Sequence, residues 1–294
     1  MTHPAVPTRG PLPGSGTRAG VQLLRFAVDD GAAALVRHVW VPLWSLPPGE
    51  RVVQELLQYP GGNVVVMADE AGFYGVDTGL GTRALEGTGW GVGVMLRPAA
   101  AALLLRHQPA DAARVGAARL DVGTAIRAER TELGADFTAA CARVRELMPV
   151  EPEAAGRLLT DWVVAQCGPV DAEGELANAA ADLAEQGSAG TVTELAERVG
   201  VGERQLQRIC RRRIGLSPKW LLQRRRLQDA AARLGEVGPP ALADLATELG
   251  YADQAHFTRD FTTVLGRPPG RFAREHHPRT SAVSKPAPTT HPHP

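Results

Sequence analysis

Cysteine is scarce in this sequence, and the few cysteines argue against stabilisation by disulfides or by a bound metal. The 294 residues include three cysteines, Cys141, Cys167 and Cys210, which are odd in number and lack the spacing of metal ligands. We therefore expect no disulfide framework and no metal site, and we expect the three thiols to be reduced and buried. Nothing else in the sequence indicates a cofactor.

Long apolar runs are absent as well. No stretch reaches the roughly 18 apolar residues that a membrane span needs, and the N-terminus has no basic region followed by an apolar run. We therefore expect a protein that does not associate with membranes. We expect it in the cytoplasm, with the nucleoid, where DNA is accessible.

Motifs of nucleophilic catalysis are also missing. The sequence contains no G-x-S-x-G or G-x-C-x-G turn, and His38 and His107 have no partner cluster of metal spacing. These absences argue against an enzyme. A catalytic domain fused to a DNA-binding module remains as an alternative hypothesis.

The net charge of the whole chain is zero, with 32 basic and 32 acidic residues, but the two signs are separated along it. Residues 21–187 carry 13 arginines against 22 acidic residues, a net charge of −9. Residues 188–276 carry 15 basic and 10 acidic residues, a net charge of +5. Within 201–235, ten basic residues accompany two acidic ones, and such a local excess suits contact with phosphate.

The first part of the chain predicts a β domain over 21–135, after a proline- and glycine-rich segment, 1–20, that we expect to be disordered. Short apolar runs separated by Pro-Gly and Gly-rich turns are typical of antiparallel strands. The predicted strands cover 36–43, 52–59, 63–67, 72–76, 82–86 and 91–96, and a helix follows the Arg97-Pro98 pair. The pattern indicates a mostly antiparallel sheet, sandwich or small barrel.

A helical region is expected next, at 136–187. Apolar residues recur with helical spacing in three segments, which Pro149, Pro152 and the Gly168-Pro169 pair separate. Two interpretations stay open: the region pairs two protomers, or it only packs on the preceding domain.

The segment GYADQAHFTRDFTTVLGRPPGRF has the pattern of a capped amphipathic helix. Gly250 can end a preceding helix in a left-handed conformation, and Asp253 is a good N-cap. Phe257, Phe261 and Leu265 then recur at i, i+4 and i+8. A shorter apolar helix comes just before it. Two helices joined by a glycine turn form the layout of a helix-turn-helix, whose second helix enters a DNA major groove.

This unit occurs twice. The segment LAERVGVGERQLQRICRRRIGLSP aligns with LATELGYADQAHFTRDFTTVLGRPP at a shift of 50 residues, and after a slip of one residue Cys210 falls over Phe261. Thr191-x-x-Glu194 is a capping box that begins the first copy, and a connecting helix runs to about residue 234. An internal repeat of this size is much stronger evidence than either copy alone.

With its second copy reading G-Y-x-D-Q-x-H-F-x-R-x-F-x-x-x-x-G-x-P-P, the chain resembles the DNA-binding domain of the AraC family of transcription regulators. The resemblance covers about 90 residues from Thr191 onward. It implies two helix-turn-helix units over 188–276 that lie in successive major-groove segments, about 34 Å apart. The residues after this domain, 277–294, are expected to be a disordered tail.

A looser resemblance concerns the β domain. The segments QYPGGNVVV and GVGVMLRPAAAALLL are similar to a sensor-like N-terminal domain of one AraC subgroup, which implies effector binding or dimerisation. The expected fold class is therefore multidomain α+β. A mostly antiparallel β domain with a helical linker region precedes an all-α domain in which a long helix joins two helix-turn-helix units.

The outward side chains of the second helix in each unit are the candidates for reading bases. Arginine can bind guanine and glutamine can bind adenine through two hydrogen bonds. The candidate base contacts are Arg204, Gln205, Gln207, Arg208, Gln254, His256 and Arg259. The alternative interpretation is that these side chains only keep an exposed helix soluble. Because Ala255 offers no donor and Asp260 repels phosphate, we expect the first unit to dominate the affinity.

A second set of residues is predicted to contact DNA phosphates, which position a protein without reading sequence. This set comprises Arg211, Arg212, Arg213, Arg224, Arg225, Arg226 and Thr258. In the β domain, the aromatic side chains are candidates for an effector pocket, with a purely structural role as the alternative. They are Trp40, Trp44, Tyr59, Tyr74 and Trp90.

The predicted function is sequence-specific regulation of transcription through double-stranded promoter or operator DNA. Control is expected through the N-terminal domain, by an unidentified small-molecule effector or by dimerisation. RNA polymerase would be a further partner if the protein activates. A ligand-independent homodimeric regulator is the main alternative.

Overall fold

The computed structural model describes residues 12, 20–107, 114–115, 118–119, 133–236 and 238–276. Most of the two segments expected to be disordered, 1–20 and 277–294, lies outside these residues. The strands are β1 (Val21–Phe26), β2 (Val36–Ser45), β3 (Arg51–Leu56), β4 (Asn63–Met67), β5 (Ala71–Tyr74), β6 (Gly81–Glu86), β7 (Thr88–Leu96), β8 (Arg114–Val115) and β9 (Ala118–Arg119). The helices are α1 (Pro98–His107), α2 (Ala135–Leu147), α3 (Pro152–Cys167), α4 (Ala172–Glu185), α5 (Val192–Val199), α6 (Glu203–Arg213), α7 (Pro218–Leu234), α8 (Leu242–Glu248), α9 (Gln254–Leu265) and α10 (Pro269–His276).

The N-terminal domain is built on an antiparallel five-stranded sheet with the order β1-β2-β7-β4-β5. One row of apolar side chains crosses all five strands, because Phe26 pairs with Val39, Val39 with Val94, Val94 with Val64, and Val64 with Phe73. Successive residues of a strand point to opposite faces, so this row defines the core face of the sheet. The predicted antiparallel β domain is confirmed.

Helices α1, α2 and α3 cover this core face. Phe137, Val144 and Leu159 belong to the same buried cluster as the strand residues. Gly156 lets α3 approach the sheet closely, since a Cβ at this position would lie 2.7 Å from Cγ1 of Val39. Of the two interpretations of the 136–187 region, packing on the sheet accounts for the apolar faces of α2 and α3.

The opposite face of the sheet carries tryptophans that lie flat on glycines. A Cβ at Gly93 would lie 2.0 Å from Cε2 of Trp40, and one at Gly89 would lie 2.3 Å from Cζ2 of Trp44. The Trp44 indole donates to the Glu86 carbonyl of β6 at 3.1 Å. Strands β3 and β6 form a separate two-stranded sheet, and this hydrogen bond joins it to the larger one.

Strand β1 is the one element of the five-stranded sheet that sequence analysis missed. Its residues, VQLLRF, lack a clear polar and apolar alternation, and they directly follow the glycine- and proline-rich segment. The strand forms because it pairs along its whole length with β2, from Val21 opposite Trp44 to Phe26 opposite Val39. That pairing depends on a partner elsewhere in the chain.

Helix α4 joins the two halves of the molecule. It packs on α1 of the N-terminal domain and also on α5, α6 and α7 of the C-terminal half. Asn178 of α4 accepts from the Ala99 amide at 3.0 Å and donates to the Ala34 carbonyl at 2.8 Å. Its alanines Ala180 and Ala184 belong to the same buried cluster as Leu195 and Leu206.

The C-terminal half contains two helix-turn-helix units, α5-α6 and α8-α9, joined by α7. The predicted N-caps are confirmed: the side chains of Thr191, Ser217 and Asp253 accept from backbone amides three residues on, at 3.2, 3.2 and 2.7 Å. Glu194 completes the cap of α5 by accepting from the Gly190 amide, one residue before the position that a capping box predicts. The predicted left-handed conformation of Gly250 is confirmed, with φ at +74°.

Candidate DNA-binding surface

The two units share one pattern of burial, which confirms the internal repeat. Residues 191–200 and 241–250 have the same exposure class position by position, with Leu195 and Ala196 buried in the first and Leu245 and Ala246 in the second. In the second helices Cys210 and Phe261 are both fully buried. The chain therefore uses one scaffold twice and varies the side chains that it exposes.

Helix α6 exposes a basic, amide-rich surface. Leu206, Ile209 and Cys210 are buried against the rest of the unit. As a consequence of this packing, the predicted base-contact residues of α6 all point to solvent: Arg204, Gln205, Gln207 and Arg208 are exposed. The N–H donors of these arginines and glutamines can match acceptors on base edges in a major groove.

Helix α9 exposes a smaller and less basic surface. Its predicted base contacts, Gln254, His256 and Arg259, are exposed, and Thr258 is half-buried. His256 lies 3.7 Å from Asp260 and packs edge-on against Tyr251 at 5.3 Å between ring centroids. A carboxylate so close to this surface weakens its attraction for phosphate.

The outward face of α9 adds two residues that sequence analysis missed, Thr262 and Thr263. They form one open surface with Gln254, Ala255, Thr258 and Arg259. Thr262 lies seven residues after Ala255 and four after Thr258, which puts the three on one face of the helix. This spacing was enough to predict from the sequence that Thr262 shares their face. The Thr262 hydroxyl donates to the Thr258 carbonyl at 2.6 Å.

The predicted phosphate contacts of α6 divide into two groups. Arg211 and Arg212 are exposed. Arg213 is buried, with only 4% of its side chain accessible, and its Nη2 donates to Asp171 at 2.7 Å. The prediction for Arg213 is therefore corrected, because in this arrangement its guanidinium group is enclosed by α4 and cannot reach DNA.

The arginines of α7 are also engaged within the protein. Arg224 is buried, and it donates to the Leu57 carbonyl at 2.8 Å and to Gln228 at 3.1 Å. Burial lowers the pKa of Arg224 to about 10. This residue is a second correction to the predicted phosphate contacts, since a connecting helix at the centre of the molecule turns this side chain inward.

Arg225 and Arg226 bind backbone carbonyls at the end of α4 and just before the first unit. Arg225 donates to the Glu185 carbonyl at 2.5 Å and pairs with Asp229. Arg226 donates to the Gly190 carbonyl at 2.6 Å and lies over the Tyr251 ring at 5.7 Å. Both side chains are half-buried. Their contacts hold the first unit, α7 and the second unit together.

The five aromatic residues predicted for an effector pocket do not surround one cavity. Trp40 and Trp44 lie on the glycine face of the sheet, while Trp90 packs with the core on the helix-covered face. Tyr59 is buried outside the sheet under the Arg37 guanidinium group, 4.3 Å from its ring centroid. Tyr74, on edge strand β5, pairs with Asn63, which accepts from the Trp40 indole at 2.9 Å. Trp44 and Trp90 both line one surface pocket, which Trp40, Tyr59 and Tyr74 do not line, so an effector pocket stays a prediction for this pair alone.

The three cysteines are free and buried, as predicted. Burial raises the pKa of the Cys141 thiol to about 11 and the pKa of the Cys167 and Cys210 thiols to about 12. Among the residues that the structure describes there is no group of three His, Cys, Asp or Glu side chains that could hold a metal ion. Within those same ranges, no helix has the length and apolarity that crossing a membrane requires.

Comparison with protein families identifies the C-terminal half. Residues 195–275 match a family described as a helix-turn-helix domain, over the two units and their connecting helix. This region is an AraC-type helix-turn-helix domain. The AraC-type domain makes the chain a DNA-binding transcription regulator. Residues 30–114 match a family described as a domain of unknown function.

Solved structures and curated proteins add little to this assignment. The C-terminal domain of AraT, a response regulator from Geobacillus stearothermophilus, is 24% identical over 36% of this chain and 89% of its own, with a TM-score of 0.32. ToxT from Vibrio cholerae O395 is 10% identical over 87% of this chain and 98% of its own, with a TM-score of 0.34. A search of curated proteins found no match. The assignment therefore depends on the domain match and on the repeat.

Proposed function

We propose that this regulator recognises a DNA site of two blocks, with α6 reading one block and α9 the other. The observation that supports this most directly is the division of α6, whose apolar side is buried while Arg204, Gln207 and Arg208 are exposed. Gln205 completes this set, and Gln254, His256 and Arg259 are the corresponding base contacts of α9. Each block is read through donors that suit guanine and adenine.

Phosphate contacts in this proposal come from the exposed Arg211 and Arg212 and from the half-buried Thr258. Arg211 and Arg212 flank the base-reading surface of α6, and Thr258 lies beside that of α9. The arginines that the fold encloses are assigned instead to holding the helices in place. The sequence-independent part of the affinity then comes mainly from the first unit, which carries more exposed positive charge.

The N-terminal domain is proposed to control DNA binding. It is firmly joined to the AraC-type domain through α4, so a change in the sheet has a physical path to the recognition helices. Control by a small-molecule effector is the first form of this proposal, and a ligand-independent homodimer is the second. RNA polymerase is a partner if the protein activates transcription. Because the protein must reach DNA, its proposed location is the cytoplasm. Its proposed role is that of a regulator and not of an enzyme.

Selection of oligonucleotides by the intact protein, with and without extracted metabolites, tests this function. We expect two conserved blocks about 10 base pairs apart, centre to centre. A selected motif that changes with metabolites supports the effector, and an unchanged motif supports the homodimer. Absence of any enriched motif would contradict two-block recognition.

The Arg208→Ala variant tests the assignment of the reading surface. Loss of a base contact should cost about 1–3 kcal/mol of binding free energy on the selected site and little on unrelated DNA. Arg198→Ala, an exposed change on α5 away from the reading helix, is the matched control. Equal losses on both kinds of DNA would make Arg208 a backbone contact.

A further inference from the structure

Each helix-turn-helix unit is attached by a carboxylate of its own to an element outside the unit. In the second unit, Arg267 Nη1 donates to Glu55 Oε1 at 2.8 Å, and Nη2 donates to the other oxygen of the same carboxylate. In the first unit, Arg213 Nη2 donates to Asp171 at 2.7 Å. The two contacts lie on different elements, because Glu55 belongs to β3 and Asp171 caps α4.

The arginine of each contact is largely shielded from water. The Arg267 and Glu55 side chains are 16% and 18% exposed, and the Arg213 side chain is 4% exposed, while its partner Asp171 is 45% exposed. Two parallel hydrogen bonds fix the direction of a guanidinium group as well as its distance. Although burial raises it, the pKa of Asp171 lies below its ordinary value, because the Arg213 guanidinium group and the Gly174 amide bind the charged form.

The residues next to Glu55 extend this attachment into the core of the second unit. Leu57 is 2% exposed and belongs to the same buried cluster as Phe257, Phe261 and Phe272. Its carbonyl accepts from Arg224 of the connecting helix. The end of β3 therefore contacts the second unit and α7 at once, while α4 contacts the first unit and α7.

We propose that Glu55 and Asp171 are positioning residues, which fix the distance and angle between the two recognition helices and so select the spacing between the two DNA blocks. One added base pair moves a block by about 3.4 Å along the DNA and turns it by about 34° around the axis. Two recognition helices that are each held at the C-terminal end, by Arg213 in α6 and by Arg267 just after α9, cannot follow this displacement. Neither carboxylate contacts DNA in this scheme, since each is already bound to an arginine.

This inference depends on the proposed two-block recognition. Its test uses the full-length protein and a set of DNA sites in which the spacing between the selected blocks is changed by one or two base pairs in each direction. The variants are Glu55→Gln and Asp171→Asn, which keep the side-chain shape. Asparagine is also a good N-cap, so α4 remains capped. Glu86→Gln is the matched control, because Glu86 pairs with Arg51 on the exposed side of the same two-stranded sheet.

We expect the unaltered protein and Glu86→Gln to lose about tenfold in affinity for each base pair of altered spacing. Glu55→Gln and Asp171→Asn should each reduce that loss to about threefold or less, while affinity for an isolated single block changes by less than about twofold. Thermal unfolding of each variant establishes that it is folded before its DNA binding is measured.

Two results would overturn the inference. The first is a spacing profile of Glu55→Gln that matches that of the unaltered protein. The second is a uniform change in affinity at every spacing, which would mean that the carboxylates act only through their charge. If no two-block site is selected by the unaltered protein, the proposed function itself fails, and that outcome is seen before any variant is made.

Discussion

The two helix-turn-helix units of this protein share a scaffold and differ in what they place on it. Both bury the same positions of their first helix and the same central position of their second. The first unit fills that central position with Cys210 and exposes four arginines along α6. The second fills it with Phe261 and exposes one arginine, a histidine and a glutamine on α9.

The difference follows from where each unit obtains its stability. The second unit has a compact aromatic core, in which the rings of Phe257, Phe261 and Phe272 meet at centroid distances of 5.6 and 5.4 Å. The first unit has smaller core side chains and depends on Ala180 and Ala184 of α4 to complete its core. We infer that stability is concentrated in the second unit and DNA affinity in the first.

The largest expected effect is on the aromatic core. Phe261→Ala should lower the free energy of unfolding by about 3–5 kcal/mol, because it opens a cavity between two edge-packed rings. Cys210→Ala at the equivalent position should cost only about 1 kcal/mol, since it removes a single sulfur atom. Urea denaturation of the full-length variants measures both. Similar losses would show that the two cores contribute equally.

The next effect concerns the recognition helices. Arg259→Ala should cost about 1 kcal/mol on the selected site, less than Arg208→Ala, because Asp260 and Asp253 already weaken this part of the surface. Arg271→Ala on α10 is the control, since that side chain pairs with Glu275. Titration with labelled DNA measures the binding constants, and a larger loss for Arg259→Ala would reverse the order of the two units.

An effect of about the same size is expected at the cap of α5. The Thr191 hydroxyl accepts from the Glu194 amide, so Thr191→Ala should lower the free energy of unfolding by about 1 kcal/mol. Thr191→Ser keeps the acceptor and should cost much less. Thermal unfolding of the two variants decides this, and equal midpoints would mean that the cap does not limit the stability of the first unit.

The smallest effect is expected at Asp253, where the cap of α9 carries a negative charge toward the proposed DNA surface. Asp253→Asn keeps an acceptor for the His256 amide, so stability should change by less than about 0.5 kcal/mol. Removing the charge should tighten binding to unrelated DNA and steepen its salt dependence. Binding isotherms at several salt concentrations test this, and an unchanged slope would place Asp253 away from phosphate.

Local patterns in the sequence predicted much of the fold. Helix ends were predictable because a cap such as Ser217 or a left-handed glycine such as Gly250 acts within a few residues. Six of the strands were predictable because turns interrupt apolar runs. Strand β1 was not, since it depends on pairing with β2 and on the packing of Leu24 and Phe26 against core residues distant in the chain.

The candidate site was predictable only where exposure follows from helical spacing. Arg204, Gln207 and Arg208 face solvent because Leu206, Ile209 and Cys210 fix the apolar side of α6. The same spacing puts Arg213 on that apolar side, four residues after Ile209. Its charge predicted an exposed position, but in the structure the side chain is buried.

The sequence alone therefore determined the repeated scaffold, the outward face of each recognition helix and the division of charge between the two halves, because these depend on neighbours within a few turns. Only the tertiary structure decided which arginines are available to DNA. A buried guanidinium group is tolerated when a carboxylate or carbonyl from a distant element pairs with it. Asp171 for Arg213, Leu57 for Arg224 and Glu55 for Arg267 are such partners, and only the fold brings them into contact.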